Sequence, residues 1–369
     1  MMYGSEEVIL LRVARGSRIA SQKEIVNMKN KILIVLLTVL TGLMLPSCDK
    51  AIYDGEGNCS VSVRFKFDFN LKYADAFRNE VKSVAVYAFD QSGKFVTKAS
   101  ESGVSLSRDG YVLEIPGLAP GVYDLVAWCG LEDSNSFIVD DPATKQDLIC
   151  RINTSVRTKA EEETYSDKML DNLFYGYVEK EDLERLPAGS VNTVVISLVK
   201  VTNQFRVLLQ SINSDIDLTP DQFDFAVYDI NAQLGWDEEI INPAPLTYDP
   251  FITRQGSVTL NDGTEVLTAA VAEFSLGRLF DRSTDKTRLV ITQKSNGREV
   301  FNIPIVDYFL MVKGYYSQPM TNQEYLDRQD DYSVAVFLEH KEGPDGYYVA
   351  ARVYINGWQI VLSNPDISW

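Results

Sequence analysis

Residues 59–69 read Cys-Ser-Val-Ser-Val-Arg-Phe-Lys-Phe-Asp-Phe, and the alternation in this stretch decides the fold class. In an extended chain successive side chains point to opposite sides. Cys59, Val61, Val63, Phe65, Phe67 and Phe69 therefore share one face, and Ser60, Ser62, Arg64, Lys66 and Asp68 share the other. At 3.6 residues per turn a helix would mix the two sets, so the period of two marks a half-buried β-strand. Downstream, Val81–Phe89 (VKSVAVYAF) is apolar on both faces and stops at Asp90-Gln91-Ser92-Gly93 before Lys94-Phe95-Val96. That pattern reads as a central strand opening a hairpin. Tyr111–Ile115 and Val122–Trp128 flank the turn-rich Pro116–Gly121 (PGLAPG), and Asn192–Val199 and Gln204–Leu209 add further β-branched runs.

The second half repeats the style. Arg288–Gln293 and Glu299–Ile305 straddle Ser295-Asn296-Gly297-Arg298, and Asn-Gly predicts a type I′ hairpin there. Thr321 and Glu324 stand at capping-box spacing and start a short helix over Thr321–Arg328. Tyr332–Leu338 and Val349–Leu362 read as strands. Ser83–Asp90 (SVAVYAFD) also resembles Asp224–Asn231 (DFAVYDIN) at an offset of 141 residues, as two copies of one β-domain would give. Many short strands with close turns and little helix predict an all-β chain of two tandem antiparallel β-sandwiches. The expected domains are 59–200 and 201–369, dividing near Lys200.

Before the strands, Lys29 and Lys31 precede an apolar run that ends at Leu45-Pro46-Ser47-Cys48. The run is shorter than the roughly 20 residues a membrane-spanning helix needs, and a basic start, short apolar core and small residues define a secretory signal. The segment resembles a lipobox, with cleavage between Ser47 and Cys48 and fatty acids on Cys48. Met28 then opens a signal peptide over 28–47, residues 1–27 read as a mis-assigned upstream extension, and 48–58 form a lipidated linker. The expected address is the outer membrane, with the folded part outside the cytoplasm.

Charge and residue counts narrow the chemistry. The chain has 35 Lys+Arg against 52 Asp+Glu, net −17; residues 1–47 hold six basic and three acidic side chains, which leaves −20 on the rest. Such a surface repels phosphate backbones, which excludes nucleic acid as a partner. His340 is the only histidine and sits in Glu339-His340-Lys341-Glu342, which reads as a solvated hairpin loop. With one histidine and scattered cysteines there is no zinc-ligand cluster, no phosphate-cradling glycine loop and no nucleophile elbow, so no metal or cofactor is expected. A pair of carboxylates would suffice for glycosidase chemistry, but none of the acidic residues stands in a context that singles it out. Beyond Cys48, an oxidising compartment leaves two readings of Cys59, Cys129 and Cys150: one pair closes a disulfide of undetermined pairing, or all three are buried thiols. Trp128 and Trp358 lie inside strand patterns and read as core. Trp236, in Gly235-Trp236-Asp237, is the tryptophan placed to stack on a sugar in a glycan-binding alternative.

Taken together, the lipobox, Cys59–Phe69, Val84–Gly93 (VAVYAFDQSG), Gly121–Trp128 (GVYDLVAW), Leu173–Gly176 (LFYG), Tyr325–Tyr332 (YLDRQDDY) and Ile355–Trp358 (INGW) resemble the anchor lipoproteins of the type V fimbriae of Bacteroidales. The resemblance implies two transthyretin-like β-sandwiches and no catalytic activity. It implies a subunit that fixes the base of a fimbrium in the outer membrane and in some members limits fimbrial length. It also implies that a shaft subunit is the partner, joined by a donated strand. A vacant sheet edge offers unpaired backbone groups that such a strand can complete.

Overall fold

A computed structural model describes residues 60–132, 134–158, 161–183, 191–212, 217–259, 266–315, 319–342 and 346–360. The chain divides into compact units Met1–Gly57 and Asn58–Trp369, and all described residues belong to the second. Up to residue 200 the strands are β1 (Ser60–Lys66), β2 (Ser83–Asp90), β3 (Phe95–Ser102), β4 (Leu113–Ile115), β5 (Gly121–Cys129), β6 (Phe137–Val139), β7 (Cys150–Ile152), β8 (Ser155–Thr158), β9 (Glu162–Ser166), β10 (Phe174–Leu183), β11 (Val191–Ser197) and β12 (Val199–Lys200). After it come β13 (Asn203–Ser211), β14 (Phe223–Asp229), β15 (Gln233–Leu234), β16 (Leu246–Tyr248), β17 (Ile252–Thr259), β18 (Val266–Leu276), β19 (Arg288–Gln293), β20 (Arg298–Pro304), β21 (Asp331–Lys341), β22 (Tyr347–Ile355) and β23 (Trp358–Ile360). Helix is confined to α1 (Phe77–Glu80), α2 (Ile305–Met311), α3 (Asn322–Arg328) and short 3-10 turns among the described residues. The fold is all-β, as the strand patterns predict.

The first sandwich faces sheet β11-β1-β4 against sheet β12-β10-β5-β2-β3. Val61, Val63 and Phe65 of β1 enter one core with Val84 and Val86 of β2 and Leu125 and Ala127 of β5, which is the alternation of the opening stretch made three-dimensional. The second sandwich faces β17-β18-β13-β21-β22-β23 against β20-β19-β14-β16-β9-β8. Its core gathers Phe205, Val207 and Leu209 of β13 with Phe223, Phe225 and Val227 of β14.

The short sequence repeat marks a topological one. In the first sandwich β1 lies between parallel β11 and antiparallel β4. In the second, β13 lies between parallel β21 and antiparallel β18. SVAVYAFD is β2, the strand between β3 and β5, and FAVYD of the matching segment falls in β14, the strand between β16 and β19. Both copies are interior strands of their sheets.

Some hydrogen bonds and contacts join the halves. β8 and β9 precede residue 200 but extend the second sandwich, β9 pairing parallel with β16. β7 pairs with β15 in a small sheet, β15-β7-β6. Tyr87, Trp128 and Tyr175, on the face of β2, β5 and β10 turned away from the first core, pack into the same cluster as Phe137, Cys150, Leu234 and the second core.

Four local readings need correction. The hairpin expected at 288–305 forms, β19 pairing antiparallel with β20, but its Asn296-Gly297 does not make the type I′ turn that the pair prefers: Gly297 alone has positive φ (67°), and a four-residue loop closes through Gly297 N–H donating to Gln293 O at 2.9 Å. The two-residue turn with both φ positive is Asn356-Gly357 (47° and 83°), which breaks the Val349–Leu362 run into the β22–β23 hairpin. His340 lies on β21 opposite Tyr348, ring centroids 5.2 Å apart, rather than in a loop. Trp358 is 47% exposed rather than core, because β23 is an edge strand covered on one side only.

Candidate functional site: a sheet edge and a braced joint

Of the residues singled out in the sequence, Ser47, Cys48 and Cys59 lie outside the described residues. Cys129 and Cys150 are free, buried thiols in different cores. Burial pushes the Cys129 thiol up to about 12 and that of Cys150 higher still, so both stay protonated and unreactive at neutral pH. Among the described residues no group of three or more His, Cys, Asp or Glu is arranged to hold a metal ion.

Strand β11 is the outermost strand of its sheet among the described residues. Val194 and Ile196 point into the core, while Val191 and Val195 are 44% and 45% exposed. The repeat shows what this position can hold. In the second sandwich β21, which matches β11, carries β22 antiparallel along the side away from β13, from Val334 opposite Ile355 to Lys341 opposite Tyr347. After β11 the chain steps through Leu198 into the opposite sheet as β12. The crossing needs Gly176 on β10: a Cβ there would lie 2.4 Å from Ile196 Cγ2 and 2.9 Å from Ser197 O. This is the physical content of the glycine in the Leu173–Gly176 segment.

A second set of residues braces the two sandwiches against each other. Trp236 is half-buried. Lys145 Nζ stands 3.9 Å from the centre of its ring and is ion-paired to Asp124, Tyr177 meets the ring edge-on at 5.3 Å, and the Tyr175 hydroxyl donates to Trp236 O at 2.9 Å. One face of this indole is thus occupied by an ammonium. Arg328, at the end of α3, lies 3.9 Å from the Phe69 ring and 4.7 Å from that of Tyr73, and Leu71 N–H donates to its carbonyl at 3.2 Å. Lys200 pairs with Asp330 at 2.7 Å.

Beneath these contacts Arg278 is buried and forks onto Asp327 at 3.0 and 2.9 Å, reaching Glu238 Oε1 at 3.1 Å and the Glu238 carbonyl at 3.1 Å. Glu238 Oε2 is buried without a hydrogen-bond partner. Burial raises the Glu238 carboxyl to about 7, Arg278 pulling against the rise and Asp327, Glu239 and Asp237 adding to it. Asp229, buried with Arg282 and Thr287, is raised by the same loss of solvation. Sequence reasoning singled out Trp236 as a sugar contact and not as part of this joint, and it did not reach the network; a salt bridge between positions 278 and 327 leaves no local pattern.

The family model for fimbrillin-A associated anchor proteins Mfa1 and Mfa2 matches residues 55–364. The minor fimbrium anchoring subunit Mfa2 of Porphyromonas gingivalis is 26% identical over 336 residues, 89% of this chain and 94% of that protein. Among solved structures, a candidate adhesin of Bacteroides thetaiotaomicron superposes with a TM-score of 0.68 at 27% identity, covering 81% of this chain and 96% of the other. A second protein of that organism, described as a candidate polysaccharide-binding protein, gives 0.65 at 29% identity over 82% and 98%.

Proposed function

The chain belongs to the family of fimbrillin-A associated anchor proteins, and from that premise we propose that it is a non-catalytic lipoprotein of the outer membrane that holds the base of a fimbrium. Fatty acids on Cys48 form the attachment to the membrane. The β11 edge receives an extended strand from the first shaft subunit, antiparallel, in the position that β22 fills in the second sandwich. The supporting observation is the repeat itself: one copy carries its neighbouring strand within the chain, and the matching edge of the other carries none among the described residues. Exposed Val191 and Val195 give that edge an apolar outer face.

Two experiments test the parts separately. Replacing Cys48 by alanine should move shaft subunit from washed cells to the culture supernatant while the variant chain is still exported; fimbriae that stay on the cells in unchanged proportion would refute lipid anchoring. Val191→Lys with Val195→Lys adds charge to an edge without touching the core. It should abolish capture of purified shaft subunit at unchanged Tm, and full capture would remove β11 as the acceptor.

The second reading, a surface glycan-binding lipoprotein of a polysaccharide-utilisation system, draws on the relative described as polysaccharide-binding. On that reading Trp236→Ala lowers sugar affinity at unchanged Tm. Loss of both would report the ring's place in the joint instead.

A further inference from the structure

The outer face of the second sandwich carries a groove of about 710 Å³ across β14 and the segment after β16, in the size range of ligand sites. Along β14 the residues turned away from the core are Asp224, Ala226 and Tyr228, in alternation with buried Phe223, Phe225 and Val227. The small Ala226 side chain forms a depression between a carboxylate and an aromatic ring that is 45% exposed. The pairing of Val227 with Tyr248 brings Asp249, one position on, beside Ala226. Arg157 forms the wall. Its guanidinium is clamped by Glu163 at 2.9 and 3.0 Å, by Asp249, and by the Tyr165 ring 4.4 Å away, and Thr247 Oγ1 donates to Glu163 at 2.6 Å. These polar groups are held in one geometry before any ligand arrives, which lowers the entropy lost on binding.

The lining selects a chemical class. Arg157 is matched by two carboxylates, and Lys294 lies 3.5 Å from Asp224, so among the described residues lining the groove no cation is left unmatched for an anion. The polar wall disfavours an apolar ligand. A planar guanidinium–carboxylate pair beside an aromatic ring suits adjacent hydroxyls on a ring with an apolar face. We propose that this groove binds a neutral oligosaccharide, with Tyr228 as stacking platform and Arg157 and Asp249 as hydroxyl partners. The site is separate from Trp236 and from the β11 edge, and does not depend on the anchoring role.

The test is calorimetric titration of the full chain in detergent with maltohexaose, cellohexaose and laminarihexaose, and with heparin hexasaccharide as an anionic contrast. At least one neutral hexasaccharide should bind with Kd of about 1 mM or tighter, as one or two stacked residues allow. Tyr228→Ala should weaken it about tenfold, Tyr228→Phe should restore it, and Ala226→Trp should abolish it, all with native Tm. Should Ala226→Trp fail to fold, the two Tyr228 variants carry the test by themselves. No binding by the three neutral probes, tighter binding of heparin, or unchanged binding by Tyr228→Ala would overturn the proposal. Cells carrying Tyr228→Ala should retain their fimbriae, which separates this site from anchoring.

Discussion

At Gly176 the chain has no room for a methyl group, because the Ser197 carbonyl that a Cβ would approach is backbone and cannot rotate away. Gly176→Ala should cost about 3 kcal/mol or more, at or above the usual cost of overpacking, measured as a fall in urea midpoint at unchanged slope. Glu238 makes a prediction with a definite sign. Its folded carboxyl titrates near 7, above the ordinary 4.5, so between those values the folded state keeps a proton that the unfolded state has released. Stability should therefore decline as pH rises from about 4.5 to 7 and level off above, by about 3 kcal/mol at most. Glu238→Gln should flatten that decline, as read from chemical denaturation at pH 5 and pH 8. The acid limb should survive the substitution, since hydrogen bonds from Ser92 and Arg151 hold the Asp90 and Asp140 carboxyls below their ordinary range and act only as pH falls through it.

Among the elements, the two Asn-Gly pairs show why a motif needs its context. At 356–357 both residues take positive φ, and Asn356 also pins the start of β21, its Oδ1 accepting from Ser333 N–H at 2.8 Å and its N–H donating to Ser333 O at 2.9 Å. At 296–297 the same pair ends a longer loop. Asn356→Ala should cost about 1–2 kcal/mol and raise amide exchange at Ser333, with Asn296→Ala costing less than half as much. Strands whose pattern is local were legible: β1 from alternation, β2 from its double-sided apolar run, and α3 from Thr321, whose hydroxyl caps Glu324 N–H at 3.0 Å. Helix α2 was not, because Ile305, Val306, Tyr308 and Phe309 are poor helix formers held by burial. The β11 strand could be read from Val194 and Ile196, but its place at the edge could not, since pairing order is set by contacts far apart in sequence.

For the whole molecule, the continuity of core and hydrogen bonds across residue 200 governs stability. A piece comprising 201–369 would lose β9 beside β16 and β7 beside β15, and would expose Leu234, Leu246 and other residues now buried. We expect that piece to be insoluble, and the intact chain to melt in one calorimetric transition with the calorimetric and van 't Hoff enthalpies equal; two resolved transitions would show the sandwiches to be independent. The same continuity explains why a split near Lys200 reads naturally from sequence: the repeat marks where each sandwich begins, but not which strands the second borrows from the first.

The parallel pairing of β1 with β11 bears on how the molecule carries mechanical load. Seven consecutive positions of β1, from Ser60 opposite Val191 to Lys66 opposite Ser197, are matched in this ladder. Tension entering at the N-terminal end of β1 runs along the strand, so the rungs are sheared together instead of being peeled one after another. A tether joined there would yield only when the whole ladder gives way at once.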